Sequence, residues 1–247
     1  MILGDFHTHS KFSDGKSTIE ENYAAAVNIG LKQLGCTEHG LRHIAFGTKR
    51  RNLPIERNIV DKLKEKNEIE VLLGIEANIF TSNGEIDLLP DDYRWFDYIV
   101  AAYHKTATNP SIIDYFKYNA KGLIRKKFSS KEIQLFTKTY IKAIKSGKID
   151  IISHLFYGLP IDTKEVAQAA ADYGVFIELN GKKVSIPDED IYILADNKNV
   201  KFIVNSDAHS PSRIGDFSVP MAVVERLNID KDRIVNWNKL VKFDRKK

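Results

Sequence analysis

Seven short apolar runs recur along the chain: ILGDFH, LKQLGCTEH, EVLLGIEAN, FDYIVAAYH, IDIISH, VFIELN and VKFIVNSDAH. Six of them end at or beside a side chain able to bind a metal: His7 and His9, His39, Glu76, His104, His154, and Asp207 with His209. The remaining run, VFIELN, ends at Asn180, and six of the seven histidines in the sequence sit at such run ends. Short β-branched runs separated by helical patterns are the mark of a parallel sheet buried on both faces. Strands that repeatedly deliver imidazoles and carboxylates to one end place them on the C-terminal rim of an α/β barrel. The pattern predicts a metalloenzyme.

Seven strand–helix units in 247 residues average about 35 residues each, a normal length for such a barrel. No internal repeat, low-complexity tract or linker divides the sequence, so residues 1–247 are expected to form one domain. Helix starts are expected at Ser17-Thr18-Ile19-Glu20, Ser129-Ser130-Lys131-Glu132 and Asp162-Thr163-Lys164-Glu165, each with an acidic residue three places after the cap. Asn83-Gly84 reads as a hairpin turn. The connection between His104 and His154 is the longest, and it carries Lys117, Lys121, Arg125, Lys126, Lys127 and Lys131. Leaving the ligand-bearing end of the barrel, residues 105–149 are a candidate lid or pocket wall, with Arg125 a candidate for substrate contact.

A formal charge of +4 agrees with an anionic substrate and is too small to argue for duplex nucleic acid. Cys36 is the only cysteine, which excludes an intramolecular disulfide and a thiolate cluster; inside an apolar run it reads as a small buried hydrophobe. No stretch has the roughly 18 apolar residues of a membrane span, and a functional strand begins by residue 2, so a cytoplasmic location is the expectation.

Residues i and i+2 of a strand point to the same side. His7 with His9, and Asp207 with His209, are two such pairs on the first and last strands. If the sheet closes, the pairs become neighbours and four ligands converge. Glu76, His104, His39 and His154 join them from intervening strands, and Asp14, in the Ser13-Asp14-Gly15 turn, can swing over the rim. Nine candidates exceed the roughly four protein ligands of one zinc ion, so two or three divalent cations fit the count better. His43, four residues past His39, is a candidate for substrate contact.

These residues closely resemble the PHP family, named for polymerase and histidinol phosphatase. The resemblance runs through DFHTHS with SDG, TEHG, GIEANI followed by NGEID, YHK, ISH, ELN and NSDAHS. GIEANI, NGEID and IDIISH are most similar to the small stand-alone bacterial PHP phosphatases. The resemblance implies a distorted seven-stranded TIM-like (β/α) barrel, a trinuclear zinc, manganese or iron site, and phosphoesterase activity. It groups His7, His9, Glu76 and Asp207 around one ion, with Glu76 bridging to a second completed by His104 and His154. Asp14, His39 and His209 match the positions around a third. Some stand-alone members carry histidine where this chain has Asp14, and an oxygen ligand there favours manganese or iron over zinc.

The expected reaction is hydrolysis of a small phosphomonoester by a metal-activated hydroxide. Arg213 is the first candidate for phosphate contact because its fork matches phosphate geometry; Lys105 and Lys182 are further candidates. No side chain is singled out as general acid. The competing reaction is that of a phosphodiesterase or 3′ nuclease on single-stranded nucleic acid. An amidohydrolase is disfavoured because Glu76 stands where a bridging lysine is usual, and a non-catalytic metal-binding protein because the ligand set is complete. The sequence leaves the oligomeric state open.

Overall fold

The unbroken apolar runs become strands buried along nearly their whole length in the computed structural model, which describes residues 1–124 and 127–244. They are β1 (Gly4–Asp5), β2 (Gln33–His39), β3 (Glu70–Asn78), β4 (Tyr98–Ala102), β5 (Ile151–Ile152), β6 (Phe176–Asn180) and β7 (Phe202–Asn205). All neighbours pair in parallel, in sequence order from β1 to β7. The helices between them are α1 (Ile19–Asn28), α2 (Leu53–Lys64), α3 (Ile112–Lys117), α4 (Lys121–Ile124), α5 (Ser130–Lys145), α6 (Thr163–Tyr173) and α7 (Asp188–Asp196), with α8 (Ser218–Arg226) after the last strand.

Closure rests on one backbone bridge, between Thr8 and Ala208. His9 N donates to Ala208 O at 2.8 Å and Ala208 N donates to His7 O at 3.2 Å. Beneath that bridge side chains replace the ladder: Asn205 Oδ1 accepts from Phe6 N at 2.9 Å, and Asp5 Oδ1 accepts from Ser206 N at 3.0 Å. Thr8 lies between His7 and His9, and Ala208 between Asp207 and His209, so closing the barrel sets the two ligand pairs abreast. This distorted seven-stranded TIM-like barrel is the expected architecture.

Alternation along the strands divides the apolar residues into two layers. Ile99, Ile152, Ile177 and Val204 pack outward with the helices, while Phe6, Tyr98, Val100, Ile151 and Ile203 fill the barrel interior. Gly35 and Gly74 make room for the Tyr98 ring; a Cβ on Gly74 would lie 2.5 Å from it. Val241 and Phe243 of the C-terminal segment join the interior cluster. Gln33, at the start of β2, holds Val241 through its backbone N (2.8 Å) and O (2.9 Å), so this segment plugs the end opposite the ligand rim. Cys36 is buried in β2, as expected.

Two of the three expected capping sites hold: Ser129 caps α5 reciprocally with Glu132, and Asp162 accepts from Glu165 N. The first is displaced by one residue. Thr18 and Glu21 form the capping box of α1, while Ser17, one residue earlier, donates its hydroxyl to Asn22 Oδ1 at 2.6 Å. Asn83-Gly84 turns the chain between Ile79 and Ile86, which form an antiparallel bridge, with Gly84 at φ 77°. Among the described residues no helix is long and apolar enough to cross a membrane.

Candidate metal centre

Glu76, near the end of β3 and buried, is the hub of the rim. Its Oε1 lies 2.8 Å from His154 Nε2, 3.4 Å from His104 Nε2 and 3.5 Å from His7 Nε2. Its Oε2 lies 2.7 Å from His39 Nδ1 and 3.8 Å from His9 Nε2. One carboxylate thus faces five imidazoles brought by four other strands, split between its two oxygens. Asp207 Oδ1 stands 3.4 Å from His9 Nε2 and 3.5 Å from His209 Nδ1. Asp14 Oδ1 stands 3.4 Å from His39 Nε2 and 3.3 Å from His209 Nε2. All nine candidate ligands therefore meet at one rim. Donor atoms of seven of them gather into three groups: His9, Asp14, His39 and His209; His7, His9 and Glu76; and His39, Glu76 and His104. His9, His39 and Glu76 each serve two groups, and for the two histidines strand order alone does not reveal the sharing.

Strand alternation does not deliver all of these side chains. β5 ends at Ile152 and β7 at Asn205, before His154 and Asp207. Both residues instead adopt left-handed backbone, with φ 28° at His154 and 53° at Asp207. Such conformations cost of order 1–3 kcal/mol in non-glycine residues and persist where the surroundings impose them. Here the turn swings each side chain back over the rim.

The donor set suits divalent cations. Glu76, Asp14 and Asp207 are held below the usual carboxylate range and Glu178 is held at about 2, burial in each case being outweighed by surrounding imidazoles and hydrogen bonds. No lysine or arginine among the described residues pairs with any of the four; their ion-pair partners are histidines. Burial would lower the pKa of His7, but Glu178, Glu76 and Asp207 raise it well above the imidazole range. His39 is pushed up to about 10, burial again being outweighed, by Glu76 and Asp14. His9 is held down to about 3 by burial and by the charge on His39. Seven buried nitrogen and oxygen atoms here lack a hydrogen bond of good geometry: His7 Nε2, both ring nitrogens of His9, Asp14 Oδ1, His154 Nδ1, and His39 Nδ1 and Glu76 Oε2, which face each other at 2.7 Å without one. Buried polar atoms are normally satisfied. Unpartnered ring nitrogens and carboxylate oxygens converging with no lysine or arginine beside them are what a cation site presents.

Comparison with known proteins agrees with this chemistry. The profile of the PHP domain family matches residues 5–186. The chain belongs to the PHP domain family. A Shewanella sp. (strain ANA-3) protein named as a probable phosphatase is 31% identical over 246 residues, covering 94% of this chain and 86% of its own length. A Thermoanaerobacter sp. (strain X514) protein, likewise named, is 30% identical over 251 residues, covering 95% and 90%. The solved structure of histidinol phosphate phosphatase from Lactococcus lactis, complexed with zinc, L-histidinol and phosphate, gives a TM-score of 0.61 at 15% identity, covering 92% of this chain and 94% of that one. That likeness concerns the fold. PHP membership places the chain among metal-dependent phosphoesterases.

Around this PHP rim lie buried groups that the sequence reading did not assign. Glu178, two residues before Asn180 on β6, accepts from Ser153 Oγ at 2.7 Å, His154 N at 3.0 Å, Asn180 Nδ2 at 2.9 Å and Asn205 Nδ2 at 3.0 Å. Its Oε1 lies 2.8 Å from His7 Nδ1. The i, i+2 rule, applied backward from Asn180, would have found it. Asn180 itself reaches Asp207 Oδ2 at 3.2 Å. Glu38, beside His39, accepts from Ser10 N and Oγ at 3.0 and 2.6 Å and also from Ser13 Oγ, which fixes the turn carrying Asp14. Asn78 Oδ1 lies 2.8 Å from His104 Nδ1, while its Nδ2 donates to Asp87 Oδ2 at 2.6 Å. Asp87, from the NGEID segment, thereby orients an imidazole through an amide.

The candidate substrate contacts of the PHP domain are placed differently from one another. Arg213 is tied to Asp216, with its fork 3.5 Å from Gly181 O. Lys105 Nζ sits 5.4 Å from the Tyr157 ring centre, and that ring is 5.2 Å from His154. Lys182 is exposed beyond Asn180. His43 stacks on His39 at 5.0 Å, and both its ring nitrogens are engaged, Nδ1 accepting from Phe46 N at 3.1 Å and Nε2 2.9 Å from Thr106 Oγ1. It offers a ring face rather than a free nitrogen. Of the long connection, Lys117, Lys121 and Lys131 line a hollow beside α5 that includes none of the nine ligand candidates. Arg125 and Lys126 lie outside the described residues.

Proposed function

We propose that this PHP domain, with residues 1–247 acting as one unit, is a phosphomonoesterase of the histidinol-phosphatase kind. The observation that carries the reading is the convergence of nine candidate ligands on one rim around Glu76, with seven of their buried atoms lacking a hydrogen bond. His7, His9, Glu76 and Asp207 would hold one cation, His104 and His154 a second shared through Glu76, and Asp14, His39 and His209 a third. Zinc, manganese or iron bound there would supply a water-derived nucleophile at neutral pH and neutralise charge developing on the phosphoryl oxygens. The chain's own contribution is preorganisation. Glu178 accepts from His7 Nδ1, which leaves His7 Nε2 aimed inward, and Asn78 does the same for His104. Asn180 steadies Asp207, and Glu38 steadies the Asp14 turn. Arg213, Lys105 and Lys182 would be the cations for an incoming phosphate, Arg213 on exchanging its tie to Asp216.

Several observations support the reading. Relatives at about 30% identity over most of their length are named as phosphatases. The Lactococcus protein of the same fold is a histidinol phosphate phosphatase whose structure holds zinc and phosphate. A cavity of about 680 Å³, the size of a small-molecule site, is linked to the rim through His43, which lines it and stacks on His39, and this supports a small monoester as substrate. The test is turnover of monoesters, including histidinol phosphate and nucleoside monophosphates, and of a single-stranded oligonucleotide. The protein is stripped and reloaded with manganese, zinc or iron, with His9→Ala as control. Metal-dependent monoester turnover lost in the control is expected. Cleavage of the oligonucleotide alone would move the function to a nuclease, and no turnover with bound metal would sink the phosphoesterase reading.

A further inference from the structure

The cavity beside the rim has two walls, and each continues from a segment that carries a ligand candidate. Phe12 and Ser13 form one wall, directly before Asp14. Residues 41–52, which follow His39, form the other. This second wall is fastened at both ends. Thr48 N donates to His39 O at 3.0 Å, and His43 N donates to Gly40 O at 3.2 Å. An antiparallel bridge between His43 and Ala107, with Thr108 N donating to Arg42 O at 2.9 Å, stitches it to the segment after β4. The pocket is therefore preformed.

Its surface chemistry is unusual for a solvated loop. His39, His43 and Phe46 form a triangular ring cluster, with centroids 5.0, 5.3 and 6.4 Å apart. Phe46 ties this cluster to a ligand candidate and is itself 48% exposed, beside Ile44 at 67%. The exposed part of the Phe46 ring offers an aromatic contact surface. Four cations flank it, and two are already engaged. Arg42 lies over the Phe80 ring at 4.7 Å, and Arg50 forks onto Asp92 with two contacts of 2.8 Å. Lys49 and Arg51 have no carboxylate partner among the described residues, and both are exposed.

We propose that this pocket sets substrate specificity: Phe46 and Ile44 receive a planar apolar body, and Lys49 and Arg51 receive a second anionic group on it. The substrate class is then an aryl or heteroaryl phosphomonoester bearing a further negative charge. The inference rests on the phosphoesterase reading for the site beside it, and only its binding half is needed for the test.

Calorimetric titration of the metal-reloaded full chain with three non-hydrolysable phosphonates tests it. The ligands are methylphosphonate, benzylphosphonate and 4-carboxybenzylphosphonate. Affinity is expected to rise in that order, with about tenfold gained at the carboxylate step. Lys49→Ala with Arg51→Ala should erase that step and leave benzylphosphonate binding unchanged. Phe46→Ala should weaken both aryl ligands and spare methylphosphonate. All three side chains are exposed, and melting curves of the variants check the fold. A flat order in the wild type, or a carboxylate step that survives the double substitution, overturns the proposal. Turnover of phenyl phosphate and 4-carboxyphenyl phosphate is measured alongside. Its absence with every metal, while the binding order holds, would sink the phosphatase reading alone.

Discussion

His7 Nδ1 lies 2.8 Å from Glu178 Oε1, and both side chains are completely buried. With Glu178 ionised, His7 donates from Nδ1 and points Nε2 toward Glu76 and Asp207, the side from which a bound cation would be held. Glu178 also gathers Ser153, the His154 backbone and Asn180, so one carboxylate sets the attitude of three ligand-bearing segments. Glu178→Gln keeps the shape and removes the charge. Metal affinity is expected to fall about 10- to 100-fold, with turnover at saturating metal reduced less. Metal titration followed by inductively coupled plasma analysis checks this; unchanged affinity would show that Glu178 is structural only.

Asn78 does for His104 what Glu178 does for His7, through a neutral amide oriented by Asp87. Asn78→Ala removes the acceptor at His104 Nδ1 and leaves Asp87 short of a partner. The expected result is weakening confined to one cation, about tenfold or more, with the remaining equivalents retained. Loss of all metal at once would mean that the three ligand groups act as one unit.

The candidate ligands were legible in the sequence because all but Asp14 stand at the ends of apolar runs, and run ends fall on one rim of a parallel barrel. Closure was legible too, since the pairs at His7/His9 and Asp207/His209 stand on the first and last strands. The route by which Asp207 and His154 reach the rim was not, because a left-handed turn in a non-glycine residue leaves no composition signal. Glu178 was within reach of the i, i+2 rule applied backward from Asn180, but Glu38 and Asp87 escaped for a different reason. Each is a single buried carboxylate whose role depends on which partner it meets, and one sequence does not show partners. The first capping box slipped from Ser17 to Thr18 because two adjacent hydroxyls each have a glutamate three places on, Glu20 and Glu21, and the pattern does not choose between them.

Phe243 anchors the C-terminal segment under the barrel, stacked on Tyr98 at 4.5 Å and edge-on to Phe6 at 5.3 Å. It lies at the end opposite the ligand rim, where Gln33 clamps Val241. Phe243→Ala should cost about 2 kcal/mol, less than full truncation of a core aromatic because the ring is only half-buried. Tm should fall by a few degrees while kcat and metal content hold. A fall in kcat without a fall in Tm would refute this division between the two ends.

Glu56, on α2, is buried with Oε1 accepting from Thr48 Oγ1 at 2.7 Å and Oε2 without a partner. Burial, reinforced by the nearby Glu38 carboxyl, raises its pKa from 4.5 to about 8. The folded protein therefore holds a proton here that the unfolded chain releases at lower pH. The stabilising contribution is fully present below pH 4.5 and is lost as pH rises through 8. Its size is on the order of a few kcal/mol. Glu56→Gln should retain the Thr48 hydrogen bond and remove the ionisation. Comparing variant and wild type at the same pH and metal loading cancels the pH dependence of metal binding. The difference in Tm should favour the variant increasingly between pH 5 and pH 9, as the wild type alone pays to ionise a buried acid. A constant difference across that range would show that Glu56 titrates as an ordinary carboxylate.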